Sequence, residues 1–225
     1  MPHSAKRPVD RREIEIVPPG LPGTLAIPQD ASALVIFAHG SGSSRLSPRN
    51  VQVADALNRQ GLATLLFDLL SPEEEDADAR ARVFDVELLA QRLIAAIAWI
   101  DRHSTFRREP IGLFGASTGA AAALAAAAAM PSRIGAVVSR GGRPDLADAA
   151  LERVTAPTLL VVGGEDFGVI ELNERALARL RCTKELVVVP GATHLFPEPG
   201  AMDQVVAHAA RWFAMHLHGP EERTA

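Results

Sequence analysis

Among its 225 residues the chain has a single cysteine, Cys182. No intrachain disulfide can form, which fits a reducing compartment. There is no block of basic residues either. Lys and Arg total 23 against 27 Asp and Glu, for a net charge of −4. That balance argues against nucleic acid or an anionic membrane surface as partner. The opening residues, MPHSAKRPVDRRE, lack the apolar core of a secretory signal, so a cytoplasmic location is expected. The most apolar helical stretch, residues 120–130, is mainly alanine and too short to span a bilayer. There is no internal repeat and no linker long enough to divide the chain. At this length the expectation is one domain over residues 1–225, with 1–12 and 219–225 as flexible tails.

What is present is a regular alternation. Apolar runs at 33–38, 62–67, 111–114, 134–139, 157–162 and 184–189 are separated by amphipathic segments. That pattern predicts an α/β fold with a mainly parallel sheet. Residues 13–27 carry PPGLPG between two strand-like pieces and predict a hairpin at a sheet edge. Ser47 and Pro48 have the chemistry of an N-cap and first-turn proline, and Gly61 ends that helix. Val86, Leu89, Leu93, Ile97 and Ile100 step by three and four, as one face of a long helix does. Leu172, Ala176 and Leu180 mark a further helix, and Met202, Val205, Ala209, Trp212 and Phe213 a terminal one. The acidic run at 73–78 reads as a solvated loop or helix start.

The sharpest chemical signal is Gly115-Ala116-Ser117-Thr118-Gly119. It follows an apolar strand and opens an alanine-rich helix, the context in which G-x-S-x-G is a nucleophile elbow. Such a turn presents Ser117 clear of its neighbours, with a helix N-terminus aimed at the charge that develops during attack. A Cβ at either glycine would crowd the adjoining strand and helix.

Two further groups follow in order. Asp166 comes just after the strand ending Val161-Val162, and His194 lies in the loop after the last strand. All three residues are thus expected beyond the carboxyl ends of strands, where open α/β sheets bind ligands. The order Ser, Asp, His is that of α/β-hydrolases. In that chemistry His194 takes the Ser117 proton, and Asp166 orients the imidazole and stabilises its cation. Asp145 and Glu165 are rivals for the acid. Asp166 is preferred because the acid most often follows the strand it follows here. Of the seven histidines, His194 alone combines a post-strand loop with the required order; His39 is expected to shape its loop.

An acyl-transfer site also needs donors for the tetrahedral oxyanion. The backbone N–H groups of Thr118 and Ser41 are the candidates. Arg45, Arg140 and Arg143 are placed to face the cleft and favour an anionic substrate. Leu195 and Phe196, beside His194, are candidate contacts for a small acyl group.

The segments HGSGSSRLSPRN, GLFGASTGAAAAL, SRGGRPDLA, VVGGEDFGVIELN and GATHLFPEPGA resemble the dienelactone-hydrolase-like branch of the α/β-hydrolase superfamily. The resemblance runs from about Ala33 to the terminal helix. It is strongest to bacterial members, some of them fused to phosphoribosyltransferase domains. It implies the α/β-hydrolase fold, a mostly parallel sheet with helices on both faces. It also implies a Ser117, Asp166 and His194 triad, and hydrolysis with no metal or organic cofactor. The chain departs from the dienelactone hydrolases themselves, which use a cysteine nucleophile and carry a glutamate where this chain has His39-Gly40. That departure argues against dienelactone as the substrate. Cys182 is far from the elbow in sequence and is assigned to packing.

The expected activity is hydrolysis of small carboxylic esters or lactones, the small molecule being the partner. The same three residues would serve an acyltransferase or perhydrolase, and a binding or sensor protein on this scaffold is a third reading. The interval 140–156 has room for a loop and one short helix, so no substantial cap domain is expected.

Overall fold

Eight strands hydrogen-bond in the order β1-β2-β4-β3-β5-β6-β7-β8. The computed structural model describes residues 8–71, 74, 84–107 and 109–217, and every structural statement below concerns these. The strands are β1 (Val9–Ile16), β2 (Leu21–Pro28), β3 (Leu34–Ala38), β4 (Ala63–Phe67), β5 (Ile111–Ala116), β6 (Ile134–Arg140), β7 (Thr158–Gly163) and β8 (Lys184–Val189). From β4 to β8 every pairing is parallel. The hairpin β1–β2 joins antiparallel to β4. Strands β3, β4, β5 and β7 are buried at every position. A parallel strand covered on both faces has no solvent side, which is why LVIFA, ATLLF and TLLVVG read as continuous apolar runs.

The hairpin corrects one expectation. Residues 9–12 do not belong to a flexible tail. Val9 pairs with Pro28 and Arg12 with Leu25 in the β1–β2 register. Arg11 reaches across to Asp55 at 2.7 Å. The strand is hard to recognise because it is an edge with largely exposed side chains, VDRREIEI. Residues 1–7 and 219–225 of the expected tails lie outside the described residues. So does the acidic run at 73–78, apart from Glu74.

Five helices cover the sheet: α1 (Pro48–Arg59), α2 (Val86–His103), α3 (Thr118–Ala129), α4 (Phe167–Arg179) and α5 (Ala201–His216). Two apolar clusters form, one on each face. Val53, Leu57, Val205, Ala209, Trp212 and Phe213 of α1 and α5 pack on one side. Leu93, Ile97, Leu124 and Ala176 of α2, α3 and α4 pack on the other. Nine of the twelve α3 residues are buried, so this helix has no polar face to place toward water. Alanine is the residue that lets it lie so close, since it forms helix well and fills little space. Between β6 and β7 there is only a short 3-10 segment, Pro144–Arg153, kinked at Asp148, as the length of that interval implies. The whole therefore has the α/β-hydrolase architecture, with helices on both faces of a mostly parallel sheet.

Candidate active site

Ser117 occupies the single residue between the end of β5 and the start of α3. Its φ is 51° and its ψ −123°, a conformation that costs a non-glycine residue energy and persists only where neighbours enforce it. The enforcement is visible. Ser117 N–H donates to Arg140 O at 3.3 Å, and Arg143 N–H donates to Ser117 O at 3.0 Å. The flanking glycines permit the close approach. A Cβ on Gly119 would lie 2.3 Å from Ala38 O, and one on Gly115 2.4 Å from Ala120 Cα. Ser117 is thus fixed by the strand ends on either side of β5.

Asp166 follows β7 and is the N-cap residue of α4, yet its side chain makes no capping bond. Its carboxylate instead accepts from His194, with Oδ2 2.6 Å from Nδ1. Because Nδ1–H is the donor, Nε2 is left as the basic nitrogen. The Asp166 side chain is 16 % exposed and that of His194 39 %. The rival acids are elsewhere. Asp145 is held by both Nε and Nη2 of Arg143, each at 2.8 Å, which raises the Arg143 pKa. Glu165 is exposed. The His194 loop is braced by Thr193 Oγ1–H donating to Glu198 Oε1 at 2.6 Å. That bond holds the Glu198 carboxyl below its ordinary range.

The oxyanion candidates fare differently. Thr118 is the first residue of α3, and the first N–H groups of a helix have no intrahelical acceptor. The Ser41 N–H is already engaged, donating to Thr118 Oγ1 at 3.0 Å. The free oxyanion donor expected at Ser41 is therefore corrected to a loop-to-elbow tie. That tie leaves the Thr118 hydroxyl hydrogen free to point elsewhere. His39 ties the same loop to the next one. Its Nε2 accepts from Leu69 N–H at 3.0 Å and Nδ1 lies 3.0 Å from Gly40 O. It shapes the loop, as expected from sequence.

The three arginines divide. Arg45 is engaged within the protein; its backbone N–H and Nη1 both bind Asp68 at 2.6 Å. Arg143 is taken by Asp145. Arg140 is buried, and burial together with the positive charge of Arg49 pushes its pKa down to about 10. Phe196 is also corrected. It is 1 % exposed and belongs to the core cluster under α1 and α5. Its φ of 56° turns it inward from the His194 loop. Leu195 stays exposed and lines a surface cleft with Arg49, Pro197, Gly200 and Met202. A second, narrow slot escaped sequence reasoning. It is lined by Gly40, Ser41, Gly42 and Thr118 on one side and Leu69, Leu70 and Leu89 on the other. Position after β4 was the available signal for Leu69 and Leu70.

Cys182 lies at the far end of the sheet from the elbow, its Sγ–H directed at Thr158 Oγ1 at 3.7 Å. No described helix is long and apolar enough to cross a membrane. Among the described residues no group of three or more His, Cys, Asp or Glu could hold a metal ion.

Residues 21–216 match the model of the dienelactone hydrolase family. The chain belongs to that family. A dienelactone hydrolase from Anabaena variabilis is 50 % identical, superimposes with a TM-score of 0.89, and is covered completely by 95 % of this chain. A putative phosphoribosyl transferase of Mycobacterium tuberculosis is 53 % identical over 219 residues, which make up 96 % of this chain and 49 % of that protein. The chain thus spans about half the length of that curated relative. Est1E from Butyrivibrio proteoclasticus shares the fold at 18 % identity, with a TM-score of 0.73 over 91 % of this chain and 97 % of its own. Membership of the dienelactone hydrolase family supports a hydrolase.

Proposed function

We propose that the chain is a serine hydrolase of small carboxylic esters or lactones. The observation that carries this reading is the 2.6 Å bond from His194 Nδ1–H to Asp166 Oδ2, on the sheet edge where Ser117 stands at a strained elbow. Ser117 Oγ attacks the carbonyl carbon as His194 Nε2 takes its proton. The carbonyl π pair moves to oxygen, and the resulting oxyanion is held by the Thr118 N–H and hydroxyl. The tetrahedral intermediate collapses, the C–O bond to the alcohol breaks, and the imidazolium returns the proton to the leaving oxygen. Water, deprotonated by the same nitrogen, then attacks the acyl-enzyme and releases the acid and Ser117. The exposed imidazole of His194 gives water a route to the second step.

Ser117 Oγ makes no side-chain hydrogen bond among the described residues. In empty hydrolases the serine–histidine bond is often open, and it tightens with substrate. The transferase name of the longer relatives is not carried over, since this chain spans about half of them and that half matches a hydrolase family. The test is covalent labelling by a fluorophosphonate together with hydrolysis of para-nitrophenyl acetate. The wild type should show both, and Ser117→Ala should lose both while keeping its circular dichroism. Labelling that survives in Ser117→Ala would overturn the assignment.

A further inference from the structure

Five arginines among the described residues have a buried Nε with no hydrogen-bond partner: Arg45, Arg49, Arg92, Arg133 and Arg140. Three are neutralised nearby. Arg45 binds Asp68, Arg92 binds Glu74 and Arg133 binds Asp101, all within 2.7 Å. Arg49 and Arg140 differ. No carboxylate of the described residues lies within ion-pair distance of either. The positive charge of Arg49 instead bears on buried Arg140 and, with burial, holds its pKa down. The one protein acceptor offered to Arg140 is Asn50 Oδ1, at a long 3.4 Å from Nη2.

The surroundings add to the positive field. Arg49 and Asn50 sit in the first turn of α1, a twelve-residue helix. That turn has no acidic residue, and Ser47 makes no side-chain capping bond. The helix therefore adds about half a positive charge and unsatisfied backbone N–H groups. Arg140 lies buried at the end of β6, next to Asn50 of that turn, and its own carbonyl accepts the Ser117 N–H. Arg49 lines the surface cleft together with Leu195, the residue that follows His194. Two carboxylates also line the cleft, Glu198 bonded through Oε1 to Thr193 and Asp203 through Oδ1 to Gln52, and neither forms an ion pair with Arg49.

We propose that Arg140, Arg49 and the N-terminus of α1 form a binding site for a phosphoryl dianion beside the His194 loop. Charge selects the class. Two guanidinium groups and a helix N-terminus exceed what one carboxylate neutralises, whereas a dianionic phosphoryl group balances both cations. Its oxygens also offer enough acceptors for the two orphaned Nε–H groups and the free helix amides. The phosphoryl group belongs either to the substrate or to free phosphate bound alongside it.

The first arm is thermal unfolding of the full chain with inorganic phosphate, which does not depend on the hydrolase reading. Phosphate should raise the Tm of the wild type. The apparent phosphate affinity should fall about tenfold or more in Arg49→Gln, the loss of one charge-assisted contact. Arg140→Met should show the same loss, and Arg49→Gln keeps the test valid if Arg140→Met does not fold. No Tm response to phosphate, an equal response in Arg49→Gln, or succinate acting as strongly as phosphate would each overturn the proposal. The second arm compares kcat/KM for para-nitrophenyl phosphonoacetate with that for para-nitrophenyl butyrate, and it rests on the serine-hydrolase reading. If the anion is part of the substrate, the ratio falls in Arg49→Gln and phosphate competes with the phosphonate ester. If it is free phosphate, the ratio is unaffected by the variant, and added phosphate changes kcat without competing. Failure of the second arm with success of the first counts against the hydrolase reading and leaves the anion site standing.

Discussion

Asp166 begins α4 as its N-cap residue but turns its carboxylate away from that helix, to within 2.6 Å of His194 Nδ1. A capping aspartate normally satisfies a first-turn N–H, and losing that bond costs helix stability of about 1 kcal/mol. Here the carboxylate acts on the imidazole instead. Asp166→Asn should therefore leave the unfolding midpoint nearly unchanged while kcat falls by about three to four orders of magnitude. An amide at this position favours the wrong imidazole tautomer. Asp145→Asn breaks only the pairing with Arg143 and should have a far milder effect on kcat. Steady-state kinetics and circular dichroism on the two variants check this, and a greater loss in Asp145→Asn would move the acid to the end of β6.

Thr118 carries two duties that single substitutions separate. Its hydroxyl oxygen accepts the Ser41 N–H, and its remaining hydrogen is available to an oxyanion. Thr118→Ser keeps both and should stay within a small factor of wild type. Thr118→Val removes both and should lower kcat by about a hundredfold with little change in KM, as loss of one oxyanion donor does. A Thr118→Val enzyme with unaltered kcat would confine oxyanion binding to backbone groups.

Gly119 should be the least replaceable residue of the elbow. An added Cβ would sit 2.3 Å from Ala38 O and 2.5 Å from His39 O. Both obstacles are backbone in fully buried chain, so neither yields as a side chain would. Gly119→Ala should destabilise by about 3 kcal/mol, read as a lower urea midpoint at constant slope. Gly42→Ala is the contrast for space, since nothing lies within 4 Å of that added carbon, although its φ of 67° still strains the backbone.

Arg140 gives a pH-dependent prediction. Its pKa is depressed in the folded protein, to about 10. The charged form is thus disfavoured by folding, and that penalty is complete at neutral pH. It is relieved as pH rises through about 10, where the folded protein releases the proton before the unfolded chain does. Arg140→Met should accordingly be more stable than wild type near neutral pH in phosphate-free buffer, by about 1–3 kcal/mol. The gain should shrink above pH 10. Denaturant titrations at both pH values measure it, and a variant less stable than wild type at neutral pH would refute the sign.

These residues also show what a sequence can and cannot display. The sheet was readable because buried parallel strands have no polar side, so each appears as an unbroken apolar run. The shared sheet edge of Ser117, Asp166 and His194 was readable because each follows a strand, and topology alone brings strand ends to one edge. Pairings between loops were not. Arg45 and Asp68 are 23 residues apart and meet because β3 and β4 are neighbours in the sheet. Phe196 adjoins His194 in sequence, but a positive φ, which no local residue pattern announces, sends it into the core. Residues 9–12 looked like a charged tail because an edge strand hides little of itself, and their partner, β2, lies beyond a turn.

On the serine-hydrolase reading proposed above, substrate size is set by the slot beside Thr118. Gly40, Ser41, Gly42 and Thr118 form its polar rim, and Leu69, Leu70 and Leu89 its apolar floor. All three leucines are nearly inaccessible to solvent, so the floor is rigid core. The slot has barely room for a water-sized group. The interval between β6 and β7 adds only the 3-10 segment Pro144–Arg153 and no lid over this edge. No more than the tip of a short acyl group can enter the slot, and each further methylene lies outside it. The added carbons then gain little of the roughly 0.8 kcal/mol that full burial offers. Activity should be highest on acetyl to butyryl esters and fall with chain length, without interfacial activation. Leu70→Ala should deepen the floor and shift the optimum toward longer chains. Each methylene accommodated there should improve kcat/KM by about fourfold, the equivalent of that burial energy. A matched para-nitrophenyl ester series on both proteins decides it. If kcat/KM already climbs from butyrate to dodecanoate in the wild type, the acyl chain has a different and deeper pocket, and this slot is not where it binds.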